Sequence, residues 1–398
     1  MGPARLLVDR LRAETPGVVD HIHLNNAGAA LPSRPVLDRQ IAHLELEARV
    51  GGYRAARMVA AELHGVRASI GRLVGADAGE VALHQSATDA WNTAVVSFLM
   101  GLEAGDRVVM DRAVYGSHAI TLLRLARRLG LDLAVVQDDA VGQLDVDHLA
   151  ALVARPRTRL VCLTHIPTSS GLVNPVEAAG TVCRAHGVHL VLDACQSAGH
   201  VPLDMARIGC SALAATGRKY LRGPRGTGFL VVDRTAFGAF EPFAPDLRAA
   251  AWTGAGEYAL VDDARRYETW EHGVAGLLAL GVAVDAALGH SVAALSDRIE
   301  RLADTLRAGL SEVPGVTVRD KGDRLCGICT FDVRGQTATD VAEALHARGV
   351  RVSVTHKTSA QLDLGARELD AVVRASVHAY NTDAELEEAL DAVRAVVG

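Results

Sequence analysis

The chain has 398 residues, 49% hydrophobic and 22% charged, which is the composition of a folded globular protein and not of a disordered one. Its net charge of -6, with arginine spread along the chain, gives no general attraction for nucleic acid, and no apolar run approaches the roughly 20 residues that cross a bilayer. A soluble protein of two domains acting on a small molecule is expected, with neither nucleic acid nor membrane as partner.

The start of the chain carries Arg5, Asp9, Arg10, Arg12 and Glu14 and lacks a long apolar stretch, so no secretory signal is expected. Cys162, Cys183, Cys195, Cys210, Cys326 and Cys329 mostly fall in apolar segments, where cysteine behaves as a small hydrophobe, and a cytoplasmic location is the expectation. Leu6 to Arg12 reads as a short helix, and His21 to Leu24 as a short strand before the tight turn Asn25-Asn26-Ala27-Gly28. Helices are predicted over Val36–Arg49 and Ala55–Leu73. The strand Val81–His84 turns through Ser86-Ala87-Thr88-Asp89 into a helix whose free first amides suit a phosphate.

Strands are then predicted at 107–110, 133–137, 160–164 and 189–192, with helices between them, which argues for a mainly parallel sheet covered on both faces. Ligands bind at the carboxyl ends of such strands, where Ser86, Thr88, Tyr115, Thr164, His165 and Asp193 fall. A glycine-rich loop at 222–228 leads into the strand 229–232, 259–266 reads as loop or short helix, and 274–288 as an apolar core helix. From about Ser291 the pattern becomes α+β, so the expected division is an N-terminal segment 1–22, a large domain 23–285 and a small domain 286–398.

Two stretches carry chemistry. The apolar run Val188 to Leu192 ends in Asp193, and Thr216-Gly217-Arg218-Lys219 precedes the glycine-rich loop. Pyridoxal 5'-phosphate (PLP) needs a carboxylate to keep its pyridine nitrogen protonated and an amine to form a Schiff base, roles open to Asp193 and Lys219. Arginine, which carries most of the positive charge, cannot form a Schiff base at working pH, and only Lys321 and Lys357 follow Lys219.

Seven motifs in order then resemble the class V aminotransferase and cysteine desulfurase superfamily of PLP enzymes. They are Leu24-Asn25-Asn26-Ala27-Gly28, the run from Ser86 to Asn92, Thr164-His165, the run from Leu192 to Gln196, the run from Thr216 to Lys219, Arg265-Arg266-Tyr267-Glu268, and the run from Arg374 to Thr382. The resemblance implies an α/β PLP-transferase of fold type I: a large domain with a mainly parallel seven-stranded sheet, and a smaller α+β C-terminal domain. It implies that Lys219 is the Schiff-base lysine, that Asp193 holds the pyridine nitrogen, and that Gln196 and Thr168 lie near the phenolate oxygen. The phosphate would fall to the amides of Ala87 and Thr88, to Thr216, and to Arg218, which stands where many relatives have histidine. Tyr115 would cover the ring, a place often taken by histidine in the desulfurases. Arg374 would take the substrate α-carboxylate in a two-pronged contact, with Asn25, Asn26 and His165 also on the substrate side. The resemblance further implies a homodimer, and Thr269-Trp270-Glu271-His272 departs from the small residues of the desulfurase pattern.

A desulfurase needs a mobile nucleophilic cysteine on the loop leading to that arginine, and the segment between Val354 and Arg374 has none. Cys326 and Cys329 have Cys-x-x-Cys spacing without a second thiol pair or histidine cluster, and read as core; no metal is expected. The chain resembles the branch with the ergothioneine-pathway sulfoxide lyase, isopenicillin N epimerase-like proteins and lincosamide-pathway enzymes acting on S-cysteine conjugates. The expected reaction is therefore β-elimination from an S-substituted L-cysteine in specialised metabolism, with Lys219 as general base. Oxidative decarboxylation-deamination, transamination and epimerisation stay open, with Tyr115, His165, His356 and Trp252 as residues that could decide between them.

Overall fold

Alternation of side chains along the central strands determines how the large sheet is covered. The structure is a computed structural model that describes residues 3–398. Seven strands form the sheet: β1 (Val81–His84), β2 (Arg107–Met110), β3 (Asp132–Val135), β4 (Thr158–Thr164), β5 (His189–Asp193), β6 (Ala212–Thr216) and β7 (Gly228–Val232). Their spatial order is β1-β7-β6-β5-β4-β2-β3, and β7 alone runs against its neighbours, so the mainly parallel seven-stranded sheet is present as expected. On β4, Val161 and Leu163 join one apolar cluster while Leu160 and Cys162 join another; on β6, Leu213 and Ala215 separate from Ala212 and Ala214 in the same way. A period of two sends neighbouring side chains to opposite faces, so strands apolar throughout need cover on both.

Helices between the strands provide that cover. The helix Gly116–Leu129 ends on Gly130 at φ 70°, with Arg127 and Arg128 in its last turn against the exposed carbonyls. The helix Ala87–Leu99 starts where the Ser86 hydroxyl accepts the Asp89 amide at 3.1 Å. The single helix expected over 55–73 is two, Gly52–Met58 and Ala60–Val74, because the backbone leaves helical geometry at Val59 (φ −108°, ψ 13°). The segment expected as loop or helix from 259 includes one strand of a hairpin, Ala250–Gly254 paired with Glu257–Leu260, followed by a short 3-10 turn, Ala264–Tyr267.

The apolar helix Val274–Gly289 runs past the 285/286 division expected from sequence, and the chain turns at Ser291. Beyond it lies a second, antiparallel sheet ordered Val316–Val318, Ile328–Val333, Ala371–Ser376, Ser353–His356. Ile22–His23 pairs in parallel with Val350–Arg351, and Asn25 bridges to Ser376 of the second sheet, so the strand pairing of the early chain is with C-terminal segments and not with the large sheet. Among the described residues no single helix is long and apolar enough to cross a membrane.

Candidate active site

The carboxyl ends of the parallel strands open on one cavity of about 270 Å³. Register aligns Thr164 with Asp193, and Asp193 with Ala214, so β4, β5 and β6 deliver their ends to one edge. Lining residues include Ala87, Thr88, Tyr115, Thr168, Asp193, Gln196, Thr216, Arg218, Lys219 and Arg374. All the expected cofactor-side residues are therefore brought together, and Arg374 arrives from the second sheet to face them.

The floor is built by short loops after β5 and β6. Asp193 is buried, and its Oδ1 accepts the Cys195 amide at 2.8 Å while its Oδ2 lies 3.3 Å from His118 Nδ1. Burial alone would raise its pKa; His118, the Cys195 amide and Lys219 together outweigh burial and hold the carboxyl below its ordinary range. The turn carrying Lys219 needs Gly217, where a Cβ would meet Thr227 Oγ1 at 2.3 Å; its amide donates to the Thr227 carbonyl at 3.0 Å. Lys219 is half-buried, and desolvation, with help from the Arg218 charge, depresses its pKa against the opposing pull of Cys195 and Asp193. A lysine with a lowered pKa supplies more free amine at neutral pH, as a base requires. Lys321, by contrast, is paired with Asp138 at 2.8 Å, away from the cleft.

On the phosphate side, the N-terminus of Ala87–Leu99 presents Ala87 and Thr88 to the cavity, and a helix N-terminus favours an anion. Arg218 stands beside them, its guanidinium donating to the Gly28 carbonyl. Gln196 Nε2 donates to the Ala27 carbonyl at 3.1 Å, leaving its Oε1 buried without a partner among the described residues. Thr168, which lines the cavity with Gln196, accepts at its Oγ1 from Arg374.

Arg374 is buried, donates also to Asn25 Oδ1 at 3.3 Å, and keeps its Nε unpartnered among the described residues. Burial lowers its pKa to about 10, which leaves it a cation at neutral pH with spare donors for a carboxylate. Tyr115 is at the rim, 39% exposed, its ring edge-on to that of His118.

Three residues expected to touch substrate do not line this cavity: Asn25, which meets it only through its contact with Arg374, Asn26 and His165. Asn26 is fully buried: its Nδ2 donates to the Ser376 carbonyl at 2.7 Å, and its Oδ1 accepts from Tyr380, so it locks the turn. His165 is buried behind the wall, with a pKa pressed down to about 3 by desolvation and the Arg324 charge, a neutral group of the core. His356 and Trp252 are exposed and also stand off the cavity. Residues without an assigned role in sequence do line it: His118, Cys195, Thr355 and Ser359. His118 had one signal, its place three residues after Tyr115 on the same helical face.

Cys326 and Cys329 are buried, burial pushing both thiols up to about 12, and no metal-binding cluster occurs among the described residues.

The family model for aminotransferase class-V matches residues 22–389. The chain belongs to this family. A relative described as a probable cysteine desulfurase from Methanothermobacter thermautotrophicus is 27% identical over 383 residues, covering 95% of each chain. The apo cysteine desulfurase of Thermococcus onnurineus NA1 superposes with a TM-score of 0.91 at 24% identity, covering 98% of each chain. A cystine C-S lyase in complex with cysteine persulfide superposes at 0.85 and 20% identity, covering 96% of this chain and 99% of its own. The cofactor is pyridoxal 5'-phosphate. The cavity fits it: an amine, a buried carboxylate held ionised, and a helix N-terminus with an arginine for the phosphate converge on one space, with Gln196 Oε1 unpartnered beside them.

Proposed function

We propose that the protein is a carbon-sulfur lyase that eliminates the sulfur substituent from an S-substituted L-cysteine. The observation that carries the reading is the composition of the cleft. It brings a lysine, a buried carboxylate and a buried arginine together, while the second sheet contributes Thr355, the turn after it Ser359, and neither a thiol. Among the described lining residues Cys195 alone bears a thiol; it sits on the floor beside Lys219, and burial raises its pKa, the reverse of what a sulfur-accepting nucleophile needs. The segment that would carry a mobile cysteine is instead fastened down. Asp363 accepts from Ser169 at 2.5 Å and from Arg367 at 3.3 Å, and Ala360 and Leu364 pack with Val372. The names of relatives, cysteine desulfurases and a cystine C-S lyase, support a sulfur-bearing cysteine substrate.

When bound, pyridoxal 5'-phosphate supplies an electron sink that makes bonds at the substrate Cα breakable. Arg374 grips the carboxylate and orients the amino acid, Asp193 holds a proton at the pyridine nitrogen, and Lys219 Nζ takes the Cα proton. Thiolate leaves Cβ and is protonated; with one water the balance is thiol, pyruvate and ammonium. We further propose a homodimer. Tyr53 and Trp270 share an exposed groove with Arg57, Arg248 and Arg265, and Trp252 and Tyr258 stand opposite one another on an exposed hairpin.

Product analysis of the PLP-loaded protein with S-alkyl-L-cysteines tests the reading. Thiol and pyruvate in equal amounts are expected, without dependence on added 2-oxo acid. Carbon dioxide with an aldehyde, turnover only with a 2-oxo acid, or, with L-cysteine itself as substrate, alanine with protein-bound persulfide would each replace it by another reaction of the family.

A further inference from the structure

His118 lines the cleft, and the reaction above gives it no role. Its ring lies flat on Trp91, with centroids 4.1 Å apart and planes at 7°, and the Tyr115 ring closes its other approach edge-on at 5.7 Å and 82°. Its amide donates to the Tyr115 carbonyl at 2.9 Å, fixing the backbone at the start of the helix. The ring can therefore rotate little, and it is buried, 3% exposed. In this orientation Nδ1 faces Asp193 Oδ2 at 3.3 Å, while Nε2 is buried without a partner among the described residues.

A nitrogen facing a carboxylate must carry the proton, so the tautomer follows from Asp193. The other Asp193 oxygen is held by the Cys195 amide. The carboxylate is thus gripped on both oxygens, one by backbone and one by a ring that Trp91 aims. We propose that His118 is the positioning residue for Asp193, fixing the carboxylate's direction and ionised state so that it meets the pyridine nitrogen of the cofactor. The proposal rests on the family's cofactor and not on the carbon-sulfur lyase reading, and it survives if that reading fails.

Two substitutions separate the hydrogen bond from the packing. H118F keeps a ring on Trp91 and loses the donor; H118N keeps a donor near the Nδ1 position and loses the ring. The readout is the dissociation constant of pyridoxal 5'-phosphate from apo protein, followed by cofactor fluorescence, together with the absorption band of the bound cofactor. H118F is expected to weaken binding on the order of 10-fold or more and to shift the band, because a charge-assisted hydrogen bond is lost. H118N is expected to stay within about threefold of wild type. In a D193N background the change from His118 to Phe should lose most of its effect, since its target charge is gone. Equal effects of H118F and H118N, a larger effect of H118N, or an undiminished effect in D193N would overturn the proposal and leave His118 as packing. Circular dichroism of each apo variant checks folding; should H118F not fold, H118L, also without a donor, takes its place in the same comparison.

Discussion

Asp193 and Asp111 stand on either side of β4, both buried, and they end in opposite states. Asp193 closes β5 with a partner on each oxygen and is held ionised. Asp111, just beyond β2, accepts one amide, that of Thr164 at 2.7 Å, and its Oδ1 has no partner among the described residues. Burial, with the nearby Asp193 charge, pushes its pKa up to about 8 despite that amide. Depth is the same at both places, so the partners decide the charge, and only the partnered carboxylate can serve a cationic pyridinium.

The sharpest way to break that contrast is to remove the charge at each place. D193N should reduce turnover on the order of 10³-fold, because the charge facing the pyridine nitrogen is gone, whereas D111N should leave turnover near wild type. Steady-state kinetics on the two variants decides it. A third buried carboxylate sharpens the contrast on the stability side. Glu268 accepts from Arg67 at 2.6 and 2.8 Å, from Arg248 at 2.9 Å and from the Leu83 amide at 3.0 Å, tying β1 to the 3-10 turn. E268Q leaves those arginines uncompensated and should cost about 3 kcal/mol in urea unfolding.

Arg374 extends the comparison to a buried cation with spare donors. R374A should lower kcat/KM roughly 10- to 100-fold, mostly through KM, and R374K should restore only part, since an ammonium lacks the two-pronged geometry. A further effect concerns the pH dependence of stability. Asp111 in the folded state keeps a proton that the unfolded chain releases, so its contribution is complete below about pH 4 and is lost as pH rises toward about 8. The slope over that window is up to about 1.4 kcal/mol per pH unit, and D111N should flatten it. Denaturant midpoints across pH in wild type and D111N measure the difference.

Much of the cofactor wall was legible in the chain because its parts are chemical rarities in fixed order. An acid ending an apolar strand, one of only three lysines in an arginine-rich protein and a Ser-Ala-Thr-Asp helix start each carry their own physical reason. What a linear reading cannot give is the direction of a side chain at a turn. Asn25 and Asn26 are adjacent and chemically equal, yet Asn25 meets Arg374 while Asn26 turns inward to Ser376 and Tyr380. His165 follows Thr164 at the strand end and falls behind the wall for the same reason. His118 escaped notice because its meaning lies in Asp193 and Trp91, both distant in sequence. The hairpin at 250–260 is absent from the linear reading, in which only 259–266 is taken, as loop or short helix.

The most direct test of the account is Cα-hydrogen exchange in deuterium oxide, using L-alanine, which Arg374 can hold but which has no group to lose from Cβ. Proton NMR should show the wild-type protein, loaded with PLP, washing out the Cα hydrogen and K219A failing to do so. Exchange undiminished in K219A, or loss of carbon dioxide in place of exchange, would contradict the assignment of Lys219 as the base acting on an amino acid anchored by Arg374.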